Sequence, residues 1–197
     1  MIAILDYGAG NLRSVENALA ALGAEYRLVR DPEGVRAARK IILPGVGHFG
    51  HMISSLDAMG VREPLREAIR AGVPFLGICL GLQALFSGSE EAPEAAGLGF
   101  LKERVQRFPA TARVPQMGWN RLEPVRESRL LAGTPPGSYV YFAHSYYAPV
   151  TGATAAVSAY AVPFTAVLEA GGVFGVQFHP EKSGAVGLRI LRNFVEL

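Results

Sequence analysis

The stretch "VPFLGICLGLQALF", residues 73 to 86, combines a strand, a tight turn and a helix. Residues 73–78 form a continuous apolar run, which predicts a buried strand, and residues 80–86 continue as a predicted helix. Between them lies Cys79, with Gly77 before it and Gly81 after it. Because buried strands that alternate with helices are typical of doubly wound sheets, this stretch indicates an α/β fold with a mainly parallel sheet.

The N-terminal half of the chain shows the same alternation. The first predicted helix carries apolar residues on one face from Leu12 to Leu22, with Asn11 as its N-cap and Gly23 at its end. The other elements predicted in this half are strands at 2–5, 25–29 and 40–44 and a helix at 62–72.

After about residue 98 the pattern changes to alternating and aromatic runs. We expect mixed or antiparallel strands here, added to the same sheet or packed beside it. A closing amphipathic helix is predicted at 185–197, with Leu188, Leu191 and Val195 on one face. The runs lie at 101–108, 138–147, 154–160 and 173–180. A chain of 197 residues suits one domain, so we expect a single domain over 1–197.

Composition excludes several classes of protein. With 50% hydrophobic and 18% charged residues, disorder is disfavoured, and a net charge of +2 is too small to indicate a nucleic-acid surface. The single cysteine cannot form an internal disulfide, so we expect a reducing cytoplasm. Neither a signal peptide nor a membrane span is predicted, because the N-terminus has no basic leader and no window holds 18 uninterrupted apolar residues.

Cys79 has two interpretations at this level. Free cysteines are often small buried hydrophobes. The sequence Gly77-Ile78-Cys79-Leu80-Gly81 also has the G-x-nucleophile-x-G form of a nucleophile elbow, a strained turn between a strand and a helix. The helix N-terminus that follows would favour the thiolate and offer the amide of Leu80 to a developing oxyanion.

A thiol nucleophile needs a base, and two histidines are candidates. In "FGVQFHPEKS" Pro180 disfavours a helix, so His179 and Glu181 are expected to be extended and to share one face. A carboxylate there would fix the tautomer of the imidazole and stabilise imidazolium. The alternative is a histidine at a strand end beside a solvated glutamate. His144 in "FAHSYY" is the rival base, although its sequence neighbours include no acid.

The glycine-rich stretch "PGVGHFG", residues 44–50, also follows a predicted strand. It fits neither a Walker loop nor a dinucleotide fingerprint, so we predict no nucleotide cofactor. It is either a flexible connection or a segment that brings the amide of Val46 or Gly47 to the oxyanion. His48 and His51 are three residues apart, but no carboxylate or third histidine accompanies them, so no metal site is predicted.

Six motifs together resemble a known family. "PGVGHFG" (44–50), "GICLGLQ" (77–83) and "HPEKS" (179–183) resemble the three signatures of class I (triad-type) glutamine amidotransferases. More narrowly, "DYGAGNLRSV" (6–15), "QMGWN" (116–120) and "YFAHSYY" (141–147) are similar to the glutaminase subunits of imidazole glycerol phosphate synthases. The resemblance covers essentially the whole chain and shows no departure at the catalytic positions.

The resemblance implies a reaction and a set of residues for it. Cys79 would attack the side-chain amide of glutamine, His179 would act as general base and then as acid for ammonia, and Glu181 would orient His179. Water would then hydrolyse the glutamyl thioester. The residues that the resemblance assigns to glutamine binding are Gly47, Gln83, Ser145 and Tyr146.

A partner follows from the same resemblance. The chain has no length left for a domain that accepts ammonia, and members of this family work in histidine biosynthesis as 1:1 heterodimers with a (β/α)8-barrel cyclase. For Trp119 and Tyr141 the alternative is that they are core aromatics. The residues expected near the docking face are Asn11, Arg13, Met117, Trp119, Asn120, Tyr141 and Lys182.

Three other functions are compatible with parts of the sequence. The glutaminase of another amidotransferase, such as that of pyridoxal phosphate synthase, is disfavoured by "QMGWN". A cysteine hydrolase or protease of the same architecture would be distinguished by assaying glutamine against peptides. A catalytically silent regulatory binder is disfavoured by the intact set of Cys79, His179 and Glu181.

Overall fold

The computed structural model describes residues 1–9 and 11–197. The helices in these ranges are α1 Leu12–Ala21, α2 Pro32–Arg36, α3 Phe49–Ala58, α4 Arg62–Arg70, α5 Leu80–Gln83 and α6 Gly184–Glu196, with a 3-10 turn at Pro180–Lys182. The strands are β1 Ile2–Leu5, β2 Tyr26–Val29, β3 Lys40–Gly45, β4 Phe75–Cys79, β5 Gly88–Ser89, β6 Ala92–Ala96, β7 Arg104–Arg107, β8 Gln116–Arg121, β9 Glu123–Pro124, β10 Tyr139–His144, β11 Tyr146–Tyr147, β12 Thr154–Tyr160, β13 Val162–Ala170 and β14 Val173–Val176.

An eight-stranded sheet in the order β2-β1-β3-β4-β14-β13-β12-β9 forms the centre of the molecule. Neighbouring strands from β2 to β14 are parallel, and β13, β12 and β9 extend the sheet in antiparallel pairs. This confirms the predicted mainly parallel sheet with antiparallel strands from the C-terminal half. No strand was predicted at β13, which nonetheless pairs with a strand on each side and is mostly buried.

Two smaller sheets lie beside the large one. Strands β10 and β8 form an antiparallel ribbon, and β11, β7, β5 and β6 form a four-stranded sheet. The aromatic runs at 101–108 and 138–147 supply strands to these small sheets, whereas the runs at 154–160 and 173–180 join the large one. Strands from the C-terminal half therefore occur in both of the predicted places, added to the large sheet and packed beside it.

Helices cover both faces of the large sheet, as the doubly wound prediction requires. The core on one side contains residues of α1 and α6, and the core on the other side contains residues of α2, α3 and α4. Helix α6 buries Gly187, Ile190, Leu191 and Phe194, while Leu188 and Val195 of the predicted face are only half-buried. The reason is a close approach at Gly187, where a Cβ would lie 1.9 Å from the carbonyl oxygen of Pro180.

Two local predictions in the N-terminal half need correction. Helix α5 ends at Gln83 rather than at residue 86, because the carbonyls of Ala84 and Leu85 accept amides from the segment at 98–101 instead of from a further helical turn. Asn11 occupies the N-cap of α1, but its Oδ1 accepts from the Ser14 hydroxyl (2.9 Å) and not from a backbone amide.

None of the helices in residues 1–9 and 11–197 has the length and apolar character needed to cross a bilayer.

Candidate active site

Cys79 lies in the sharp turn between β4 and α5 that its flanking glycines predict. Its φ of 53° and ψ of −105° are uncommon for a residue other than glycine, and such strain persists only where the surroundings enforce it. A Cβ on Gly77 would lie 2.4 Å from the carbonyl oxygen of Gly81, and a Cβ on Gly81 would lie 1.9 Å from that of Leu43. Glycine at both positions therefore lets the turn pack against β3.

The turn opens into a cavity at the carboxyl ends of the parallel strands, the edge where ligands of such sheets bind. Gly45 at the end of β3 is in register with Cys79, and Val176 at the end of β14 is in register with Ile78. The cavity has a volume of about 180 Å³ and is lined by Val46, Gly47, Cys79, Leu80, Gln83, Glu91, Pro115, Ala143, His144, Ser145 and Tyr146. All four residues expected to hold glutamine are among them.

His179 and Glu181 form a buried pair beside Cys79. The Nδ1 atom of His179 is 2.9 Å from Oε1 of Glu181, and the two side chains are 4% and 1% exposed. His179 is extended as predicted, but Glu181 lies in the 3-10 turn that Pro180 begins. The second oxygen of Glu181, Oε2, has no hydrogen-bond partner among the described residues, so a positive charge on His179 is the main compensation for this carboxylate.

The charge state of His179 depends on its neighbours. Burial alone would lower its pKa, but the nearby Cys79 and the carboxylate of Glu181 outweigh burial and raise the pKa to about 10. An imidazolium here can stabilise a thiolate on Cys79, and the Glu181 contact leaves Nε2 as the nitrogen free for proton transfer.

His144 is held differently. Its Nδ1–H donates to the carbonyl oxygen of Tyr146 (2.8 Å), and its Nε2 lies 3.0 Å from the side-chain amide of Gln116. Burial lowers its pKa to about 4, so it is neutral at physiological pH. Both of its ring nitrogens already have hydrogen-bond partners, and no carboxylate contacts either one, which favours His179 as the base.

The backbone of Val46 faces a tyrosine rather than the sulfur. The Val46 amide donates to the hydroxyl of Tyr7 (3.3 Å), and this hydroxyl lies 3.4 Å from the Val46 carbonyl oxygen. Burial raises the pKa of Tyr7, so the hydroxyl keeps its proton. Gly47, next in the chain, has a φ of 94°, which glycine adopts without strain. Among the expected oxyanion donors, the amide of Val46 is therefore already paired with Tyr7 in this structure.

The residues expected at a docking face lie close together in the structure. The turn at Pro180–Lys182 packs against α1 and against β10, and β10 pairs with β8 so that Tyr141 is opposite Trp119. Trp119 is 56% exposed and meets the ring of Tyr141 edge-on at 6.1 Å, so it is not a core aromatic. The backbone amide of His179 donates to the carbonyl oxygen of Tyr141 (2.9 Å), which links this face to the catalytic side.

Comparison with known proteins identifies the family. The family model for glutamine amidotransferase class-I matches residues 3–197. The chain belongs to the class-I glutamine amidotransferase family. It is 50% identical to imidazole glycerol phosphate synthase subunit HisH of Methanothermobacter thermautotrophicus over all of this chain and 98% of the relative. It is 49% identical to the HisH subunit of Deinococcus radiodurans, over 98% of this chain and 92% of the relative.

Solved structures agree on the fold of this class-I glutamine amidotransferase. A crystal structure of a glutamine amidotransferase matches 99% of this chain and 97% of its own, with a TM-score of 0.76 and 23% identity. A chain in the structure of PurLQS from Thermotoga maritima also matches 99% of this chain and 97% of its own, with a TM-score of 0.75 and 19% identity.

Three residues of this amidotransferase site were not singled out from the sequence. Glu91 reaches the cavity and its Oε2 accepts from the amide of Phe49 (2.7 Å). Gln177 contacts the sulfur of Cys79, and Tyr7 holds Val46. Gln177 lies in the quoted motif "FGVQFHPEKS", where its strand-end position was a usable signal, whereas the other two gain their roles only through contacts distant in sequence.

Proposed function

We propose that this chain is the glutaminase subunit of an imidazole glycerol phosphate synthase, hydrolysing glutamine to glutamate and ammonia for a cyclase subunit in histidine biosynthesis. The observation that carries the proposal is 50% identity over the full chain to a HisH subunit. The juxtaposition of Cys79, His179 and Glu181 at one sheet edge supports the chemistry, since a thiol, an imidazole and a carboxylate in this order form a nucleophilic triad. Residues 1–197 act as one glutaminase domain in this proposal.

Glutamine binds in the cavity with its side-chain amide at the sulfur. The Glu91 carboxylate at the cavity wall suits the ammonium group of the substrate, because a charge-assisted hydrogen bond there is strong. Gln83 donates from Nε2 to the carbonyl oxygen of Tyr146 (2.9 Å) and to Gln177, which leaves its Oε1 to accept from the substrate. Gly47 and Ser145 supply the remaining polar wall of the cavity.

The first chemical step forms the thioester. The thiol proton of Cys79 passes to Nε2 of His179, and the sulfur adds to the amide carbon. The resulting oxyanion accepts from the amide of Leu80, the first residue of α5, and from Val46 or Gly47 once that turn is rotated. As the tetrahedral intermediate collapses, the carbon–nitrogen bond breaks and His179 returns the proton, so that ammonia leaves.

The second step releases glutamate. Water loses a proton to His179 and adds to the thioester carbon, and the carbon–sulfur bond then breaks. Glutamate leaves, the thiolate and imidazolium are regenerated, and the sum is glutamine plus water giving glutamate plus ammonia. Glu181 keeps Nδ1 of His179 protonated through both steps and stabilises the imidazolium.

The cyclase is the proposed receiver of ammonia. We place it on the face formed by the start of α1, the ribbon of β8 and β10, and the turn at Pro180–Lys182, as a 1:1 heterodimer with a (β/α)8 barrel. Exposed large apolar side chains on the ribbon support this, since Met117 is 66% and Trp119 is 56% exposed.

Replacing the nucleophile tests the proposed function. The complex of this chain carrying Cys79→Ala with a cyclase is expected to lose glutamine-dependent synthesis while still using free ammonia at high pH. A diazo ketone analogue of glutamine is expected to add its mass at Cys79 in the wild-type chain. Glutamine hydrolysis that persists in Cys79→Ala would contradict the triad, and loss of the ammonia-dependent reaction as well would indicate a broken complex instead.

A further inference from the structure

Gln177 has no part in the steps described above, although it touches the reacting sulfur. It directly follows β14 and is completely buried, at 0% exposure. Its Nε2 lies 3.7 Å from Sγ of Cys79, within hydrogen-bond range for sulfur. The residues that line the cavity do not include Gln177, so it reaches the sulfur from the protein interior and not from the substrate side.

A chain of buried amides sets the orientation of Gln177. The carbonyl oxygen of Tyr146 can only accept, so the atom of Gln83 that contacts it at 2.9 Å is the nitrogen Nε2. The same nitrogen lies 3.2 Å from Gln177, where the contacting atom must therefore be the acceptor Oε1. The other end of the Gln177 amide, its NH2 group, consequently faces the sulfur.

This arrangement fixes the rotation of the Gln177 side-chain amide, so that the sulfur always meets its NH2 group and not its oxygen. Rotating the Gln177 amide would set its NH2 group against that of Gln83 and leave two buried donors facing each other, which is costly. Apart from Nε2 of His179, the acceptor available to a protonated thiol is the carbonyl oxygen of Ala143, and that contact is longer at 4.0 Å. A fixed donor favours the form of the sulfur that accepts best, which is the thiolate.

We propose that Gln177 is a further catalytic residue, whose side-chain amide donates a hydrogen bond to the Cys79 sulfur and stabilises its thiolate before glutamine binds. Gln83 and Tyr146 act as positioning residues that hold this amide in place. The inference deepens the proposed function and rests on it for the catalytic consequence, but the thiolate itself can be measured without glutamine.

Other titratable groups also surround the sulfur. His179 follows β14, Tyr7 follows β1, and both interact electrostatically with Cys79. His144 and Glu91 line the same cavity as Cys79. Their side chains are unchanged in Gln177 variants, so comparison of a variant with the wild-type chain isolates the amide.

The test is the pH profile of alkylation by iodoacetamide in the full-length chain. Because Cys79 is the single cysteine of the chain, all thiol alkylation reports on it. Gln177→Met keeps the length of the side chain and removes the donor, and we expect the midpoint of the profile to rise by about one pH unit.

The shape of the profile separates this role from a structural one. A less stabilised thiolate is rarer but more nucleophilic, so alkylation is expected to be about threefold slower below both midpoints and about threefold faster above them. A loosened site would speed alkylation at every pH, and a blocked site would slow it at every pH. Alkylation rates that differ from wild type by the same factor at every pH, or a midpoint equal to that of wild type, would overturn the inference.

Two further variants complete the series. Gln83→Met removes the partner that orients Gln177, so we expect a shift in the same direction that is smaller than for Gln177→Met. Gln106→Met is the matched control, since Gln106 is an exposed glutamine that bonds to the hydroxyl of Tyr147 (2.7 Å), and its profile is expected to equal wild type. A shift of equal size in the control would overturn the inference.

A measurement on the unmodified chain covers the case in which the single variants unfold. In ¹⁵N-labelled protein, the side-chain amide resonance of Gln177 is expected to move with pH at the same midpoint as the alkylation, and to lose this movement in Cys79→Ala. A resonance whose position does not follow the protonation of the thiol would overturn the inference.

The double variant Gln83→Met/Gln177→Met removes both amides, so that neither is left buried without its partner. If the single variants unfold, the alkylation profile is measured on this double variant instead.

Glutamine kinetics distinguish failure of this inference from failure of the proposed function. In Gln177→Met we expect kcat to fall several-fold at neutral pH with little change in KM, since Gln177 does not line the cavity. If Cys79→Ala still hydrolyses glutamine, the proposed function fails whatever the alkylation profile shows. If Cys79→Ala is inactive while Gln177→Met has the wild-type profile, only the role of Gln177 fails.

Discussion

Oε1 of Glu181 lies 2.9 Å from Nδ1 of His179, and both side chains are almost completely buried. In water such a pair contributes little, but here neither group can exchange its partner for solvent. The contact assigns the proton of the imidazole to Nδ1 and directs Nε2 toward Cys79. Tautomer and orientation of the base therefore depend on this carboxylate, and its charge depends on Cys79 together with Glu181.

Glu181→Gln keeps the shape of that carboxylate and removes its charge. We expect kcat for glutamine hydrolysis by the cyclase complex to fall by about a hundred- to ten-thousandfold, because the imidazolium loses its compensation and the tautomer is no longer imposed. KM should change little. Glu94→Gln, at an exposed glutamate, is the control. An unchanged kcat in Glu181→Gln would move the role of base to His144.

Stability at alkaline pH reports on the same pair. The pKa of His179 is raised to about 10 in the folded chain, against about 6.5 when unfolded, so its contribution is complete below about pH 6.5. That contribution declines as the pH rises and is lost once the pH passes the folded pKa. We expect the free energy of unfolding, measured with urea between pH 6 and 10, to fall more steeply for wild type than for His179→Asn. Parallel curves would show that His179 is not charged in the folded protein.

Tyr7 controls the availability of the Val46 amide. Tyr7→Phe removes the hydroxyl that accepts from this amide, so we expect the isolated chain to become a better glutaminase, and any gain in its rate on binding the proposed cyclase to shrink. The gain should appear mainly in kcat, because the freed donor acts on the transition state. Equal activity of the isolated wild-type chain and its complex with the cyclase would exclude this control.

Gly45 and Gly47 are expected to respond differently to alanine. At Gly47 the added Cβ meets open space, but the φ of 94° disfavours alanine, so Gly47→Ala should lower the stimulated rate by up to about a hundredfold while the complex still forms. At Gly45 the Cβ would lie 2.7 Å from the amide nitrogen of Gly81 and would distort the elbow itself. Gly45→Ala should therefore lower the unfolding temperature and the basal rate, which thermal melts and assays without cyclase will measure.

Trp119 tests the proposed docking face. Because its ring is 56% exposed, Trp119→Ala should leave the unfolding temperature unchanged. If the ring is an interface anchor, cyclase affinity measured by titration calorimetry should weaken by about thirtyfold, the loss typical of a hot-spot aromatic. Phe100→Ala removes another exposed aromatic, at 39%, outside this face and is the control. Equal affinities for the wild-type chain and Trp119→Ala would place the docking face elsewhere.

Sequence patterns predicted the elements that local rules govern. The apolar runs of β1, β3 and β4, the stripe of α1 and the glycine that ends it all depend on residues within a few positions of one another. The elbow at Cys79 belongs to this group, because the two glycines that its turn needs each lie two residues from it. Helix α5 was predicted too long because amides from residues 98–101, distant in sequence, bond to the carbonyls of Ala84 and Leu85, which follow it.

By itself the sequence determined the α/β class and the turn that presents Cys79, and it offered two candidate histidines as the base. Only the tertiary structure decided which histidine is paired with an acid, that Tyr7 holds the amide of Val46, and that Gln177 turns its NH2 group to the sulfur. The physical reason is that burial and hydrogen-bond direction arise from contacts across the sheet. Gln83 and Gln177 are 94 positions apart, and no local pattern shows that their amides will meet.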